Sequence, residues 1–248
     1  MPGILYLIPN TLGLPSELPA NPLAGIIPEQ VQQISARLSY FVAENAKTTR
    51  AYLKLLSQQT PLAHALQEIQ ITELNVQTDS KLLPAMLEPI LAGQDGGLIS
   101  EAGLPAVADP GANLVRLAHQ KNIVVRPLVG PSSLMLALMA SGLNGQSFAF
   151  NGYLPTDASE RSKRLKELEN RSRQDKQSQI FIETPYRNGT LLQALIAGLH
   201  PNTLLCRATN LSLPDEVVQT MRVQEWRQLG DKLPEMHKKP TVFLFLAS

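Results

Sequence analysis

One long loop of the sequence combines carboxylates with glycines. Residues 100–112 (SEAGLPAVADPGA) carry Glu101 and Asp109 as well as Gly103 and Gly111. Carboxylates can accept a proton or hold a cationic ligand, and glycine allows a positive φ or a close approach of the backbone to a ligand. Asp109 also suits the cap of a following helix. Long loops of this kind are often functional, so this loop is the first candidate site.

Two shorter turns have similar features. Gly130-Pro-Ser-Ser133 precedes a helical stretch whose free N–H groups could bind an anion, and either serine could cap it. Glu183-Thr-Pro-Tyr-Arg187 combines a possible helix cap at Thr184 with a possible ion pair. The chain has neither Gly-x-Gly-x-x-Gly nor Gly-Lys-Ser/Thr, which weakens the dinucleotide-binding and P-loop interpretations. A phosphate- or nucleotide-binding module would rest on the first of these turns alone.

Short apolar runs alternate with longer helical periods along most of the chain. This rhythm predicts an α/β fold with a mostly parallel sheet and helices on both faces, and ligands then bind at the carboxyl ends of the strands. The predicted strands are Ile4–Ile8, Tyr40–Ala43, Ile69–Leu74, Gly97–Ser100, Ile123–Arg126, Gln179–Ile182, Thr203–Arg207, Val217–Met221 and Thr241–Leu246. The predicted helices are Pro28–Leu38, Lys47–Leu56, Ser80–Ala92, Ala112–Gln120, Leu134–Ser141, Gly189–Leu199 and Val223–Leu229.

After Gly142 the alternation of apolar runs and helical periods is interrupted by a stretch rich in turn-forming residues. The turn-rich stretch 143–147 predicts a domain boundary near residue 145, with one α/β lobe over residues 1–145 and a second over residues 146–248. Residues 157–176 contain seven basic and five acidic side chains. That segment is either a solvated helix or a helix that touches an anionic substrate.

Composition excludes several classes of protein. The 248 residues are 44% hydrophobic and 17% charged, which is typical of a folded chain. Cys206 is the single cysteine, and the four histidines (His64, His119, His200, His237) are scattered, so we expect neither a disulfide nor a metal site. A net charge of +1 argues against strong non-specific binding to nucleic acid. No apolar run approaches the roughly 20 residues of a membrane span, so we expect a cytoplasmic protein.

Seven short stretches, in collinear order, are similar to the tetrapyrrole methylase superfamily, the class III S-adenosylmethionine-dependent methyltransferases. Within it they most resemble the branch of ribosomal RNA small subunit methyltransferase I. The resemblance implies two α/β lobes with S-adenosylmethionine in the cleft between them, and it implies a homodimer. The matching stretches are Leu5–Pro9, Ala43–Arg50, Ser100–Pro105, Ala108–Gly111, Gly130–Ser133, Gly152–Pro155 and Glu183–Arg187.

The same resemblance implies roles for particular residues. Glu44 and Glu101 are the candidate catalytic carboxylates, and Arg50 and Arg187 are candidates for binding an anionic part of the substrate. The residues expected to contact S-adenosylmethionine are Ile8, Pro9, Asn10, Thr11, Ser100, Asp109, Ala112, Ser132 and Ser133 in the first lobe, and Glu183, Thr184, Ala208, Thr209, Pro240 and Thr241 in the second.

The chain also departs from the family pattern. Asn45 stands where the family often has Asp, and an Asn cannot serve as a general base. Thr156-Asp157 stands where the ribosomal RNA enzymes tend to be basic, and Ala208–Leu211 lacks their acidic residue. Those enzymes usually continue into a small helical C-terminal extension, whereas the sequence stops at its last predicted strand.

Several acceptors and one non-enzymatic role therefore remain open. Three classes of methyl acceptor remain as alternatives: a ribose 2′-hydroxyl of small-subunit ribosomal RNA, a tetrapyrrole, or another molecule. The tetrapyrrole enzymes have a Gly-rich first loop, which residues 8–13 replace here. The non-enzymatic alternative is a paralogue that binds S-adenosylmethionine without catalysis.

Overall fold

The chain folds into two compact units. A computed structural model describes residues 1–15, 17 and 21–248, and the units are Met1–Ser132 and Ser133–Ser248. The helix that precedes residue 145 groups with the second unit, because it packs against three of that unit's strands. The domain boundary near residue 145 stays a prediction. Among the described residues, no helix is both long and apolar enough to cross a membrane.

The first unit is built on a fully parallel sheet with the strand order β3-β2-β4-β1-β5. Its strands are β1 (Ile4–Ile8), β2 (Tyr40–Ala43), β3 (Gln70–Glu73), β4 (Gly96–Ile99) and β5 (Val124–Pro127), and its helices are α1 (Glu29–Arg37), α2 (Ala46–Leu56), α3 (Leu83–Leu91, after a 3₁₀ turn Ser80–Leu82) and α4 (Ala112–Gln120).

Both faces of this first sheet are covered by helices, as the alternating pattern predicts. Alternate residues of a strand point to opposite faces. Ile8 and Phe41 belong to the apolar core with α1 and α2, whereas Leu5 and Val42 belong to the core with α3 and α4. Burial on both faces explains why these strands read as continuous apolar runs.

The second unit contains a mixed sheet with the strand order β6-β7-β10-β8-β9. Apolar side chains of β7, β8 and β10 pack against α6, α7 and α8, while α5 packs against β8, β9 and β10. Its strands are β6 (Phe148–Tyr153), β7 (Ser178–Ile182), β8 (Leu204–Thr209), β9 (Val217–Arg222) and β10 (Thr241–Leu246), and its helices are α5 (Ser133–Ser141), α6 (Ala158–Asp175), α7 (Asn188–Gly198) and α8 (Val223–Gln228, before a 3₁₀ turn Gly230–Lys232).

The prediction of a mostly parallel sheet is wrong for this second unit. Only β6 and β7 pair in parallel, whereas β10 is antiparallel to β7 and β8, and β8 is antiparallel to β9. The reason lies in the connections. No helix separates β8 from β9, and a short connection without a crossover joins antiparallel neighbours.

Three local features also differ from the sequence-based expectations. The edge strand β6 was not predicted; it contains Asn151 and Gly152, and its pairing shifts register between Phe150 and Tyr153. Helix α4 begins at Ala112 with Gly111 as its N-cap at φ 130°, so Asp109 does not cap it. Helix α7 begins at Asn188 with Arg187 as its N-cap, so Thr184 does not cap it.

Candidate active site

The loops after β1 and β4 are joined by hydrogen bonds at the carboxyl edge of the first sheet. The Asn10 amide donates to the Gly103 carbonyl at 2.8 Å, and the Gly103 amide donates to the Thr11 carbonyl at 3.4 Å. The Asn10 side chain donates to the Ser100 and Glu101 carbonyl oxygens at 3.1 and 3.0 Å. Asn10 and Thr11 are therefore buried structural links that fix the position of the 100–103 segment.

Glu44 connects the end of β2 to the same segment. Its amide donates to the Ile99 carbonyl at 3.1 Å, and its Oε2 accepts a hydrogen bond from the Glu101 amide at 3.0 Å. The Glu101 side chain is exposed and forms no ion pair or hydrogen bond with a residue that the structure describes. The two predicted catalytic carboxylates thus lie together but differ, because one is held by the backbone and the other is available to a ligand.

Asp109 adds a third carboxylate to this edge. The pKa of Asp109 is raised to about 6, chiefly by burial and then by the negative charge of Glu44; the nearby Ser100 hydroxyl lowers it, and the charge of Glu101 adds a smaller rise. Ser100 Oγ is itself buried and lacks a well-formed hydrogen bond among the described residues. An acid that titrates near neutral pH beside an unsatisfied hydroxyl is typical of a ligand site.

Asn45 caps α2. Its Oδ1 accepts hydrogen bonds from the amides of Lys47 and Thr48 at 2.9 and 3.3 Å. Asn and Asp are both strong N-caps, so the difference from the family pattern is compatible with a structural role at this position. The cap also explains how α2 is aligned beside the Glu44 loop.

The remaining residues that were predicted in the first lobe lie at or just before helix starts, or on α2. Ala112 is the first residue of α4, Ser132 is the last residue of the first unit, and Ser133 is the first residue of α5 in the second unit. A side chain at Gly130 would overlap the Pro9 ring, so the loops after β1 and β5 pack closely. Arg50 is exposed on α2 and makes no ion pair with any described residue, so the structure does not bring it to the carboxylates.

Glu44, Glu101 and Asp109 together form a carboxylate cluster. A pocket of about 250 Å³ lies beside it and is lined in part by Glu101. Sequence analysis missed most of its walls, although Thr48, Ala51, Tyr52 and Leu55 have the spacing of one helix face. The lining residues are Asn10–Leu14, Leu23, Thr48, Ala51, Tyr52, Leu55, Glu101 and Ala102.

In the second unit, Glu183 and Arg187 form an ion pair at the end of β7. Arg187 Nη2 donates to Glu183 Oε1 at 2.6 Å, and the Thr184 amide donates to the same oxygen at 2.7 Å. The Glu183 side chain is 8% exposed and that of Arg187 is 45% exposed. The ion pair holds the loop before α7, and it occupies part of the Arg187 guanidinium.

Thr209 and Thr241 meet at the same edge of the second sheet. Their hydroxyl oxygens are 3.1 Å apart, and Thr241 Oγ1 donates to the Lys239 carbonyl at 3.0 Å. The Asn210 amide donates to the Pro240 carbonyl at 2.9 Å. The register of β7, β8 and β10 therefore gathers the second-lobe residues expected to contact the cofactor, which are Glu183, Thr184, Ala208, Thr209, Pro240 and Thr241.

Arg207 is a buried polar residue that sequence analysis missed. It is 8% exposed, and its guanidinium donates weakly to Thr209 Oγ1 and Gln219 Oε1 at 3.4 and 3.3 Å. Burial lowers the pKa of Arg207. An arginine within an otherwise apolar strand is the sequence signal that could have identified it. Across the described residues, no group of three or more His, Cys, Asp or Glu is arranged to hold a metal ion.

Comparison with known proteins gives three informative relatives, each named ribosomal RNA small subunit methyltransferase I. The Vibrio cholerae protein is 29% identical over 222 residues, which are 90% of this chain and 69% of that protein. The Xylella fastidiosa protein is 30% identical over 75% of this chain and 60% of that protein. The Halalkalibacterium halodurans protein is 30% identical over 83% of this chain and 64% of that protein. The matches therefore span only 60% to 69% of the length of these relatives. No protein-family model matches the chain.

Solved structures of methyltransferases share the fold. The methyltransferase CobJ matches with a TM-score of 0.61 and 16% identity, over 99% of this chain and 95% of that one. Uroporphyrin-III C-methyltransferase from Thermus thermophilus, complexed with S-adenosylhomocysteine, matches with a TM-score of 0.56 and 14% identity, over 98% and 97%. The predicted resemblance and the predicted α/β fold are thus confirmed, and the names of these proteins agree with the predicted enzyme class and cofactor.

Proposed function

We propose that this chain, which resembles the tetrapyrrole methylase superfamily and its branch of ribosomal RNA small subunit methyltransferase I, transfers a methyl group from S-adenosylmethionine to a ribose 2′-hydroxyl of small-subunit ribosomal RNA. The observation that carries the proposal is identity of 29–30% over 75–90% of this chain with relatives of that name. The carboxylate cluster of the first unit supports it.

The residues present fit the proposed cofactor. The buried Ser100 Oγ needs a hydrogen-bond partner, and Asp109 offers a carboxylate that a cationic ligand would keep ionised. In the second unit, the paired hydroxyls of Thr209 and Thr241 offer polar groups beside buried strands. S-Adenosylmethionine would supply an electrophilic methyl group on a positively charged sulfur.

The chain's own groups would orient the acceptor and receive its proton. Glu101 has the available carboxylate, so it accepts the hydroxyl proton or orients the hydroxyl. Glu44 positions Glu101 by holding its backbone amide at 3.0 Å. Most of the rate then comes from alignment of the acceptor oxygen with the methyl group.

Arg50 and Arg187 would each bind a phosphate of the proposed RNA substrate, Arg50 at a distance from the Glu101 carboxylate. Arg50 is exposed and has no acidic partner in the described part of the chain. Arg187 would have to share its guanidinium with Glu183. We therefore assign the larger share of phosphate binding to Arg50.

We also propose a cytoplasmic homodimer. A cytoplasmic location would bring the chain together with its proposed ribosomal RNA acceptor. The resemblance to the family implies a homodimer, and Met139 and Tyr186 are apolar side chains that are 76% and 68% exposed. Sedimentation equilibrium of the purified chain measures the state directly, and a monomer at micromolar concentration would contradict the dimer.

A tetrapyrrole acceptor is the second candidate, favoured by structural neighbours such as uroporphyrin-III C-methyltransferase. The likeness at 14% identity concerns the fold alone, and residues 8–13 lack the Gly-rich loop of those enzymes. The non-catalytic alternative loses its main support, because Asn45 acts as a helix cap.

Two assays together test the proposed function. Calorimetry with S-adenosylmethionine measures cofactor binding, and tritium transfer to purified small ribosomal subunits identifies the acceptor. Transfer that is sensitive to ribonuclease supports the proposal. Cofactor binding without transfer to RNA would indicate a methyltransferase that acts on another substrate. No binding of S-adenosylmethionine at about millimolar concentration would contradict the whole proposal.

A further inference from the structure

Two adjoining cavities of the first unit lie away from the carboxylate cluster. They occupy about 540 and 260 Å³ and share Tyr6 and Arg37 among their walls. Ser39 lines the smaller cavity and comes directly before β2, whereas Glu44 comes directly after the same strand. A strand of this length separates the two residues by roughly 16 Å. The cavities therefore lie towards the amino edge of the parallel sheet, where its strands begin, and the carboxylate cluster lies at the opposite edge.

The larger cavity carries positive charge without an opposing acid. Arg37 and Arg126 both line it, and no aspartate or glutamate is among its lining residues that the structure describes. Both arginines are exposed, and neither belongs to an ion pair in the described part of the chain. In the smaller cavity, Asp95 accepts a hydrogen bond from the Ile4 amide at 2.8 Å. The two guanidinium groups thus remain available to an anion.

Tyr6 adds a hydroxyl group to the same cavities. The residue is 5% exposed, and its hydroxyl forms no hydrogen bond with a described residue, although buried tyrosines usually have such a partner. The guanidinium of Arg126 lies over the Tyr6 ring, with 5.7 Å between Cζ and the ring centroid. This cation–π contact holds the guanidinium at the cavity wall, so less conformational entropy is lost when the arginine binds a ligand.

The remaining polar walls of the larger cavity suit a ligand with several oxygen atoms. Gln30, Gln33 and Thr60 line it, and their amide and hydroxyl groups can donate hydrogen bonds. One amide hydrogen of Gln33 is used on Glu29 Oε1 at 3.0 Å, which leaves the other. A guanidinium binds phosphate through two parallel hydrogen bonds. A phosphate group therefore has enough oxygen atoms to bind both arginines and the tyrosine hydroxyl together.

We propose that Arg37, Arg126 and Tyr6 form a second binding site, which takes a phosphate group and is separate from the site of methyl transfer. The inference does not depend on the proposed function, because none of these three residues has a part in the transfer. The phosphate belongs either to a free ion or ester or to the backbone of a bound RNA, and each presents the same chemistry to the site. The experiment therefore uses a probe for each source.

The first measurement is nuclear magnetic resonance of the full chain with labelled isoleucine methyl groups. Ile34 lines both cavities, so its signal reports binding in every variant. Inorganic phosphate should shift this signal and saturate at about millimolar concentration, whereas sodium chloride at equal ionic strength should not. The double variant Arg37→Gln/Arg126→Gln should raise the Kd for phosphate by at least about tenfold.

The matched control is Arg116→Gln/Lys121→Gln. It removes the same two positive charges from exposed positions of the first unit that line neither cavity, so it measures the effect of net charge alone. Tyr6→Phe keeps the ring under Arg126 and removes only the hydroxyl. It should weaken phosphate binding by about threefold, and an unchanged affinity would remove the hydroxyl from the site.

Adenosine 5′-monophosphate and a single-stranded RNA of about ten nucleotides distinguish the sources of the phosphate. A free ester is the ligand if the double variant loses about tenfold in affinity for the mononucleotide relative to its control, and RNA is the ligand if that loss appears with the RNA alone. A loss confined to inorganic phosphate would identify the free ion. If none of the three probes distinguishes the double variant from its control, the site is overturned.

A binding measurement with the cofactor separates this site from the proposed function. The Kd of the double variant for S-adenosylmethionine should equal that of the wild type within about twofold, and a larger change would contradict the separation of the two sites. Phosphate binding by a chain that methylates no RNA would support this site and contradict only the proposed function.

Discussion

The carboxylate of Glu44 accepts a hydrogen bond from the backbone amide of Glu101, with 3.0 Å between Oε2 and the nitrogen. This bond joins the end of β2 to the loop after β4, although the two residues are far apart in sequence. It separates the roles of two acids that sequence alone treated as equivalent. We propose that Glu44 positions Glu101, whose own carboxylate forms no ion pair or hydrogen bond with a described residue.

Glu44→Gln should retain much more activity than Glu44→Ala. The glutamine oxygen can still accept the Glu101 amide, whereas alanine leaves that amide without its partner. We expect the alanine variant to lose about tenfold in kcat and the glutamine variant to lose less than about threefold. Equal losses in steady-state methyl transfer would show that the charge of Glu44 matters rather than its hydrogen bond.

Glu101→Gln should lower the rate of transfer without weakening cofactor binding. Loss of a general base typically costs 10² to 10⁴ in rate, so we expect a fall in kcat of at least about 100-fold. Calorimetry should give an unchanged affinity for S-adenosylmethionine. A variant with normal kcat at every pH would exclude Glu101 as the proton acceptor.

Asp109→Asn should change how stability depends on pH. The pKa of Asp109 is about 6 in the folded chain against a reference value of 3.8, so the folded chain holds this proton to higher pH than the unfolded chain. The native chain therefore loses stability through this group as pH rises from about 4 to about 6, and the loss persists above that range. The Tm of the variant relative to wild type should increase between pH 4.5 and pH 7. A difference in Tm that is constant across this range would contradict the raised pKa.

Asn45→Ala should destabilise the first unit by about 1 kcal/mol, because α2 loses the side-chain cap on Lys47 and Thr48. Asn45→Asp should keep both the stability and the activity of wild type, since Asp caps equally well. Urea denaturation and methyl-transfer assays measure the two quantities. A large gain of activity in Asn45→Asp would instead support a degenerate enzyme.

Much of the first unit could be predicted from sequence. The bounds of β1, β2 and α4 agree with the apolar pattern, because strands buried on both faces give short continuous runs and amphipathic helices give a clear period. The edge strand β6 could not be predicted in this way. Its polar residues and register shift remove the pattern that identifies a buried strand.

Only part of the candidate site could be predicted from the sequence. The motif order indicated Glu44, Glu101 and Asp109, and the fold brings them to one edge of the first sheet. The bond from Glu101 to Glu44 and the raised pKa of Asp109 depend on long-range packing, which spacing along the chain does not encode. The apolar wall of the pocket was missed because Ala51 and Leu55 look like ordinary residues of an amphipathic helix.

The most direct test of the account is tritium transfer from labelled S-adenosylmethionine to purified small ribosomal subunits, compared between wild type and Glu101→Gln. We predict ribonuclease-sensitive label with the wild type, located on a ribose 2′-oxygen after nucleoside digestion, and at least about 100-fold slower labelling with the variant. Absence of label on RNA from a wild-type chain that binds the cofactor would contradict the central claim.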